Sequence, residues 1–295
     1  MDQERPARFR LGGVELAIVS DGVFMQDAGV IMGVVPRTLW EPVIGAPDAR
    51  NLTPLALNCL LLRSQGKLVL VDTGIGAKLN ETQRTRHFPG DYGHLLRRLR
   101  GMGVQPEDVD VVINTHLHFD HCGWNTANVH GRALPTFPNA TYHIQRGEYE
   151  AATHPNERTR GAYLLDNYAP LAEAGRLELV EGEHMITPEI TLLPTPGHTA
   201  DHCSVAIASG GETAIYIGDL VQHAAQIERT AWIPAYDVLP LLTLATKKAL
   251  FDRALRERWL IVSVHAPFPG AGRLQESDGR RRFVPEPAVR EREPA

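Results

Sequence analysis

The 295 residues, 43% of them apolar and 22% charged, have the composition of a globular protein that can bury a full core. The formal net charge of -5, from 30 basic and 35 acidic residues, argues against nucleic acids and other polyanions as partners. No apolar run is long enough to cross a bilayer, and residues 1–10 carry charges of both signs where a secretory signal needs an apolar core, so we expect no membrane partner and a cytoplasmic location.

The N-terminal part predicts one strand and then a long irregular segment. Residues 11–19 alternate and then run apolar, as an opening strand does. From Ser20 to Arg50, glycines and prolines mix with large apolar side chains such as Phe24 and Trp40, which predicts a long loop that forms a substrate entrance and a homodimer contact. Its methionines and aliphatic residues favour a moderately sized apolar substrate over a tight aromatic clamp.

A hairpin, a helix and a buried strand follow. Residues 58–63 and 67–72 predict a hairpin whose second strand ends at Asp72. Residues 92–102 predict an amphipathic helix with leucines on one face, and the β-branched run 111–113 predicts a buried strand.

Four potential metal ligands come directly after that strand, within six residues: His116, His118, Asp120 and His121. In extended backbone His116 and His118 point the same way and can share one metal, whereas Asp120 and His121 point elsewhere. A His-rich surface turn is the alternative, but this spacing arises by chance in roughly one such chain in a thousand. The loop therefore predicts ligands for two adjacent metals.

Three later strands also end on potential ligands. The strand from residue 190 breaks into a Pro–Gly turn before His198, the hairpin of 203–208 and 213–217 ends at Asp219, and strand 260–265 ends on His265. Because strand ends gather at one edge of a sheet, we expect these groups to converge on the 116–121 loop. Seven ligands suffice for two metals if one bridges, and Asp219, with two carboxylate oxygens, is the candidate bridge.

The remaining segments complete a single domain over residues 1–295. Residues 140–144 predict a short strand, 145–174 a polar and largely helical stretch, 239–259 a helix with Leu244, Phe251 and Leu255 on one face, and 271–295 a C-terminal extension with a frayed end.

The three cysteines, Cys59, Cys122 and Cys203, are too few for a disulfide framework and fit a reducing compartment. Cys122 follows the cluster directly. It is either a ligand or, as we favour, a thiol of the core beside the site.

The motifs resemble the signature of the metallo-β-lactamase-fold hydrolases: His-x-His-x-Asp-His at 116–121, Pro-Gly-His-Thr at 196–199, Gly-Asp at 218–219 and Val-His at 264–265, over about residues 14–284. The resemblance implies an α/β (α+β) fold, a four-layer αββα sandwich with the site on one edge of two sheets. It implies one metal at His116, His118 and His198, a second at Asp120, His121 and His265, and Asp219 between them. Asp72 would orient a ligand histidine.

Within that family the chain is most similar to the quorum-quenching N-acyl-homoserine lactonases and to the methyl parathion hydrolases. Segment 116–121 looks like the former, whereas 218–225 and 265–274 look like the latter. The bridging aspartate disfavours true β-lactamases, and His118 disfavours flavodiiron oxidoreductases. Many lactonases place a tyrosine three residues after the bridging aspartate, where this chain has Gln222, followed by His223.

We therefore predict a binuclear hydrolase in which a metal-bridging hydroxide opens an N-acyl-homoserine or aryl lactone, with promiscuous esterase and phosphotriesterase activity. The cofactors are two divalent ions per chain, zinc first, with cobalt, manganese or iron as alternatives. Asp120 steers the hydroxide and relays a proton, and Gln222 or His223 is either a donor to the substrate or a support. A methyl parathion-like phosphotriesterase and a non-catalytic metal-binding scaffold are the alternative functions.

Overall fold

The structure is a computed structural model, and it describes residues 3–289. The strands are β1 (Ala7–Leu11), β2 (Val14–Asp27), β3 (Leu52–Ser64), β4 (Lys67–Val71), β5 (Gly90–Tyr92), β6 (Val111–Ile113), β7 (Thr126–Val129), β8 (Arg132–Pro135), β9 (Thr141–Gln145), β10 (Leu177–Val180), β11 (His184–Thr187), β12 (Ile190–Pro194), β13 (Cys203–Ser209), β14 (Glu212–Tyr216), β15 (Leu260–Val262), β16 (Ala271–Ser277) and β17 (Arg280–Pro285). The helices are α1 (Ala28–Met32), α2 (Arg37–Ile44), α3 (Leu95–Gly101), α4 (Arg146–Thr153), α5 (Ala169–Glu173), α6 (Ala225–Glu228) and α7 (Pro240–Arg256).

Two mixed sheets face each other. The first has the order β1-β2-β3-β4-β6-β9-β10, with β5 beside β2, and the second runs from β11 to β17 in sequence order. Side chains alternate between the faces of each strand, so Val69 and Val71 of β4 pack between the sheets against Val205 and Tyr216, while Leu70 points outward. The central core is therefore made by both sheets.

Helices cover both outer faces. Leu95 and Leu99 of α3, Ala152 of α4 and Leu171 of α5 pack on the first sheet. Phe251 belongs to the cluster that α7 forms on the second sheet. The predicted four-layer αββα sandwich is confirmed. No helix within residues 3–289 is long and apolar enough to cross a membrane.

The strand directions bring the predicted ligands to one edge. In the first sheet β4, β6 and β9 are parallel, and in the second β14 is parallel to β15 and, through two antiparallel steps, to β12. Parallel strands end at the same edge of a sheet. The segments after β4, β6, β12, β14 and β15 carry the following groups: Asp72, residues 116–121, His198, Asp219 and His265.

The prediction of a long loop over residues 20–50 is wrong. Strand β2 continues to Asp27, which pairs with Leu52 of β3, and α1 and α2 occupy most of the remainder. Two of the residues that suggested a loop mark helix ends instead: Gly33 ends α1, and Pro36 precedes α2. Four of the large apolar side chains are buried because they form a core beneath the site: Phe24, Ile31, Met32 and Trp40.

The two ends of the chain also differ from the prediction. The expected strand 11–19 is a hairpin of β1 and β2, with Leu11 paired to Val14 across Gly12–Gly13. The extension after residue 270 contains β16 and β17, joined by an Asp278–Gly279 turn in which both residues have positive φ. Its polar composition reflects a sheet edge with one exposed face. The predicted fraying concerns residues 290–295, outside the described part of the chain.

The buried face of α7 contains a lysine that the sequence pattern did not predict. Leu244 and Leu255 are only half-buried, whereas Lys247 is 1% exposed. Its Nζ donates to the carbonyl oxygen of Trp232 at 2.8 Å. Burial lowers the pKa of Lys247 from 10.5 to about 7, although the carboxylate of Asp237 acts in the opposite direction.

We expect Lys247 to make the free energy of unfolding rise with pH between about 7 and 10. Unfolded lysine keeps its proton up to a pKa of about 10.4, whereas folded Lys247 loses it near pH 7. The unfolded state therefore binds more protons in this window, and raising the pH favours folding. Urea titrations should show that Lys247→Met removes a rise on the order of 2 kcal/mol between about pH 7 and about pH 9.5.

The matched control is Lys248→Met, because Lys248 is exposed on the same helix. This variant should keep the pH dependence of the wild type. An identical dependence in the wild type and in Lys247→Met would refute the assignment.

Candidate metal centre

The loop after β6 is held by the buried carboxylate of Asp72. Asp72 accepts hydrogen bonds from the backbone N–H and the hydroxyl of Thr115, both at 2.9 Å. Its Oδ2 also accepts from Nδ1 of His121 at 2.8 Å. As predicted, Asp72 orients a histidine of the cluster, and it leaves Nε2 of His121 pointing into the site.

The other strand ends are fixed by their own partners. His198 follows Gly197, where a Cβ would lie 2.3 Å from Oγ1 of Thr243, so the glycine permits close approach of α7. Nδ1 of His198 donates to Oδ1 of Asp237 at 2.9 Å. His265 donates from Nδ1 to the carbonyl oxygen of Ala56 at 2.8 Å. In each case the second ring nitrogen is left for the site.

The seven predicted residues come together as two adjacent groups. His116, His118, His198 and Asp219 form the first group, and Asp120, His121 and His265 form the second; within each group, the donor atoms all lie within 4.8 Å of one another. In the first group Nε2 of His198 lies 3.0 Å from Nδ1 of His118, and in the second Oδ2 of Asp120 lies 3.5 Å from Nε2 of His265.

The two carboxylate oxygens of Asp219 face different groups. Oδ1 lies 3.1 Å from Nε2 of His121 and 2.9 Å from Nε2 of His265. Oδ2 lies 3.2 Å from Nε2 of His198 and 3.9 Å from Nε2 of His116. This is the position required of a carboxylate that bridges two cations.

The chemistry of the donor set fits metal ions. Five imidazoles and two carboxylates converge, and such nitrogen and oxygen donors suit zinc and other divalent transition metals. Nε2 of His116, Nε2 of His121 and Oδ1 of Asp219 are buried without a hydrogen bond of normal geometry to any part of residues 3–289. Buried polar atoms normally have partners, so these atoms are arranged for a ligand from outside the chain.

The carboxylates and imidazoles shift one another's pKa values. Burial raises the pKa of Asp219, but the facing histidines, His121 first, hold it well below its usual range. Burial lowers the pKa values of His116 and His118 well below their usual range. For His265, burial acts downward and the carboxylate of Asp219 more than compensates, so its pKa is raised. A cation binds the neutral imidazole and the ionised carboxylate. The pKa shifts of His116, His118 and Asp219 favour these forms, whereas the raised pKa values of His265, His121 and His198 favour the protonated imidazole.

Two supports of this site were missed from the sequence. Asp237 holds His198 and also accepts from the hydroxyl of Thr243 at 2.6 Å, but its segment has no motif. His202 accepts the backbone N–H of Asp219 at Nε2, at 3.0 Å, and burial lowers its pKa to about 3. Its position four residues after His198 was the available signal.

Cys122 lies outside both groups. All three cysteines are buried free thiols, and the thiol of Cys122 donates to the backbone carbonyls of Leu117 and His118 at 3.3 and 3.2 Å. This arrangement agrees with a core thiol beside the site.

A cavity of about 190 Å³ opens onto both groups. Its apolar wall contains three phenylalanines, and the rings of Phe88 and Phe119 lie 4.0 Å apart between centroids. The expectation of an aliphatic, methionine-rich entrance is therefore wrong, because Phe88 and Phe119 come from outside residues 20–50 and Met32 is in the core below. The lining residues other than the candidate ligands are Phe24, Gln26, Ile31, Leu55, Phe88, Phe119, Arg158, Gly161, Ala162, Gln222 and Tyr236.

Gln222 and His223 have different surroundings. Gln222 lines the cavity, and its Nε2 donates to Oδ2 of Asp219 at 3.1 Å. His223 is not among the described residues that line the cavity. Its Nδ1 accepts the backbone N–H of Ala225 at 3.1 Å, at the start of α6.

Comparisons with known proteins agree with this architecture. Residues 52–265 match a family model described as the metallo-beta-lactamase superfamily. An N-acyl homoserine lactonase of a Bacillus species is 33% identical over 170 residues, which cover 53% of this chain and 60% of that relative's length.

Two solved structures share the fold. A probable metal-dependent hydrolase from Staphylococcus aureus superposes with a TM-score of 0.85 at 26% identity, covering 95% of this chain and 100% of that one. A dizinc quorum-quenching lactonase in complex with a product, N-hexanoyl-L-homoserine, superposes with a TM-score of 0.80 at 22% identity, covering 97% and 99%.

Removing the central carboxylate should disrupt both groups. We expect elemental analysis to find about two divalent ions per wild-type chain, and fewer than about one in Asp219→Ala, because that side chain faces both groups. A chelator should lower the Tm of the wild type more than that of the variant, since bound ions stabilise only the folded state. Asp91→Ala is the matched control, because Asp91 is exposed. One ion per wild-type chain, or two in Asp219→Ala, would exclude the bridging arrangement.

Proposed function

This chain belongs to the metallo-beta-lactamase superfamily, and we propose that it is a binuclear metal-dependent hydrolase that opens N-acyl-homoserine or aryl lactones. The observation that carries the proposal is the placement of Asp219, with one oxygen toward each histidine group, at the base of a cavity with an apolar wall. The similarity to an N-acyl homoserine lactonase supports the choice of substrate.

Two zinc ions are the proposed cofactors, with cobalt, manganese or iron as alternatives. His116, His118 and His198 would hold one ion and Asp120, His121 and His265 the other, with Asp219 shared. Bound divalent cations supply hydroxide near neutral pH and polarise the attacked carbonyl.

A carboxylate of the chain transfers the proton in the proposed reaction. In ring opening, water adds to the carbonyl carbon, the bond to the ring oxygen breaks, and that oxygen takes up a proton. Asp120 lines the cavity, and burial raises its pKa. A carboxylate that lines the substrate cavity can accept the proton of the attacking water and deliver it to the leaving oxygen. We assign this relay to Asp120.

Gln222 and His223 receive different roles in the proposal. Gln222 holds Oδ2 of Asp219 and lines the cavity, and its Oε1 is buried without a hydrogen-bond partner among the described residues. We therefore infer that Gln222 is a positioning residue at the substrate end of the site. His223 would act as a support for the turn into α6.

The apolar wall of the cavity favours a lactone over a phosphotriester. A lactone presents a planar carbonyl, and its single acyl or aryl group can pack against Phe24 and the adjacent rings of Phe88 and Phe119. A phosphotriester carries three ester arms around a tetrahedral centre, and all of them must be seated while that centre is aligned for displacement. Phosphotriester hydrolysis remains the second candidate because the same ligand set serves both reactions.

We expect kcat/KM for the best N-acyl-homoserine or aryl lactone to exceed that for methyl parathion or paraoxon by about a hundredfold, on the order of 3 kcal/mol of transition-state discrimination. Steady-state kinetics of the zinc-loaded enzyme on a panel of lactones, phosphotriesters and thioesters measures this ratio.

Gln222→Ala should lower kcat/KM for lactones by about tenfold, with His223→Ala as the comparison that changes it less.

Each outcome of the panel discriminates between functions. A phosphotriester hydrolysed as fast as the best lactone would favour the second candidate. Stable binding of two ions with no hydrolysis of any ester would favour a non-catalytic metal-binding scaffold.

We also propose a homodimer formed around α2. Leu39 and Val43 lie four residues apart on one face of this helix and are 59% and 38% exposed, and the preceding Val34 is 96% exposed. Large apolar side chains exposed together are typical of a protein interface. Below this face, Trp40 is buried in the core beneath the cavity, so the interface would lie close to the site.

Light scattering should give the mass of a dimer for the wild type and of a monomer for Leu39→Glu, because a charge in the centre of an apolar interface loses its solvation. Val129→Glu is the control, since Val129 is exposed on β7, away from α2. A wild-type monomer at every concentration would remove the dimer from the proposal.

A further inference from the structure

A buried glutamate lies behind the first group of histidines. Glu148 is in the first turn of α4 and is 1% exposed, although the neighbouring Glu150 is exposed. No lysine or arginine within residues 3–289 forms a salt bridge with it. Burying a carboxylate without a cationic partner is costly, so its hydrogen bonds must compensate.

One oxygen of Glu148 fixes the backbone between two predicted ligands. Oε1 accepts the N–H of Leu117 at 2.9 Å, and Leu117 lies between His116 and His118. The bond sets the orientation of the peptide from which both imidazoles project. A carboxylate acceptor makes this bond stronger than a neutral acceptor would.

The same oxygen holds the tyrosine that packs on His118. The hydroxyl of Tyr163 donates to Oε1 of Glu148 at 3.0 Å, and the ring of Tyr163 lies 4.9 Å from that of His118 between centroids. His118 and Tyr163 also form an antiparallel bridge, which the N–H of Phe119 extends by donating to the carbonyl of Ala162 at 2.9 Å. Glu148 thus constrains His118 in two ways, through the backbone next to it and through the tyrosine that packs on its ring.

The carboxyl group of Glu148 also interacts with the segment of His198. Burial raises the pKa of Glu148, and the hydroxyl of Thr199, the residue after His198, acts in the opposite direction. Oε2 of Glu148 and Oγ1 of Thr199 are both buried and lack a hydrogen bond of normal geometry to any described residue.

The second group of ligands has separate supports. His121 is held by Asp72 and His265 by the carbonyl oxygen of Ala56. Glu148 instead contacts the residues next to His116, His118 and His198.

We propose that Glu148 is the positioning residue for the metal held by His116, His118 and His198, and that it acts through the backbone next to these ligands. The inference rests on the metal centre proposed above. It assigns to α4, a helix that contributes no ligand, the preorganisation of one of the two metal positions.

Cobalt titrations followed by visible absorbance, together with elemental analysis, test this assignment. Glu148→Ala should raise the Kd of one ion by about 10- to 100-fold and leave the other unchanged. Glu148→Gln, which keeps a neutral acceptor of the same size, should raise the same Kd by a smaller factor. Glu150→Ala is the matched control on the same helix and should bind both ions as the wild type does.

Double variants identify the weakened ion. Adding His116→Ala to Glu148→Ala should abolish binding of the weakened ion and leave the tightly bound one, whereas adding His121→Ala should leave only the weakened ion. Circular dichroism confirms that each variant is folded, and if Glu148→Ala does not fold, Glu148→Gln carries the same test.

The possible results separate the two proposals. A wild type that binds two ions, with folded Glu148 variants that bind both equally tightly, would overturn the role of Glu148 and leave the metal centre intact. Weakening of the His121 ion instead would also overturn it. A wild type that binds no ion would refute the metal centre itself.

Discussion

The architecture of the site depends on one buried carboxylate, that of Asp72, which joins three strand ends. It accepts hydrogen bonds from the backbone N–H and the hydroxyl of Thr115, which follows β6, and from the ring of His121. It also accepts a hydrogen bond of 3.3 Å from the hydroxyl of Tyr216, on β14 of the second sheet. Tyr216 donates in addition to the carbonyl oxygen of Asn58 on β3. Because this network crosses between the sheets, the position of the 116–121 loop is fixed relative to Asp219, which follows β14.

The site has two parts, the candidate metal ligands and the cavity wall, which come from different elements of the fold. Strand ends supply the groups that can hold cations, and the imidazoles of His121, His198 and His265 are each oriented by a carboxylate or carbonyl at the other nitrogen. Part of the cavity wall comes instead from connecting segments, which bring Phe88, Arg158 and Tyr236 over the same edge, beside Phe24 of β2 and Leu55 of β3. The candidate ligands thus follow strand ends, and part of the surface that meets the rest of a substrate lies on loops.

The sequence alone predicted those parts of the structure that are determined by residues close together in the chain. The β-branched strand before His116, the hairpin ending at Asp72 and the spacing of His116 and His118 are local patterns. The seven side chains that these patterns and the later strand ends indicated lie together in the structure. Strand ends could be expected to converge because parallel strands share an edge.

The features that the sequence did not predict, or predicted wrongly, depend on contacts between residues far apart in the chain. Gly33 and Pro36 mark helix ends as well as loops, and only the burial of Ile31 and Trp40 decides between the two. Glu148 and Asp237 lie in segments without a motif, and their roles arise from residues that are 31 and 39 positions away. Such pairings are properties of the tertiary fold and leave no periodic signal.

The separation between strand-end ligands and a cavity wall that is partly built from connections has an evolutionary consequence. Substitutions, insertions and deletions in the segments around Phe88, Arg158 and Tyr236 change the surface presented to a substrate while the β-sheet hydrogen bonds that hold Asp72 and Asp219 are left intact. Selection can therefore act on substrate preference at little cost to the fold. Drift in these connections offers a route by which one inherited metal-binding scaffold diversifies into paralogues with different esters as substrates.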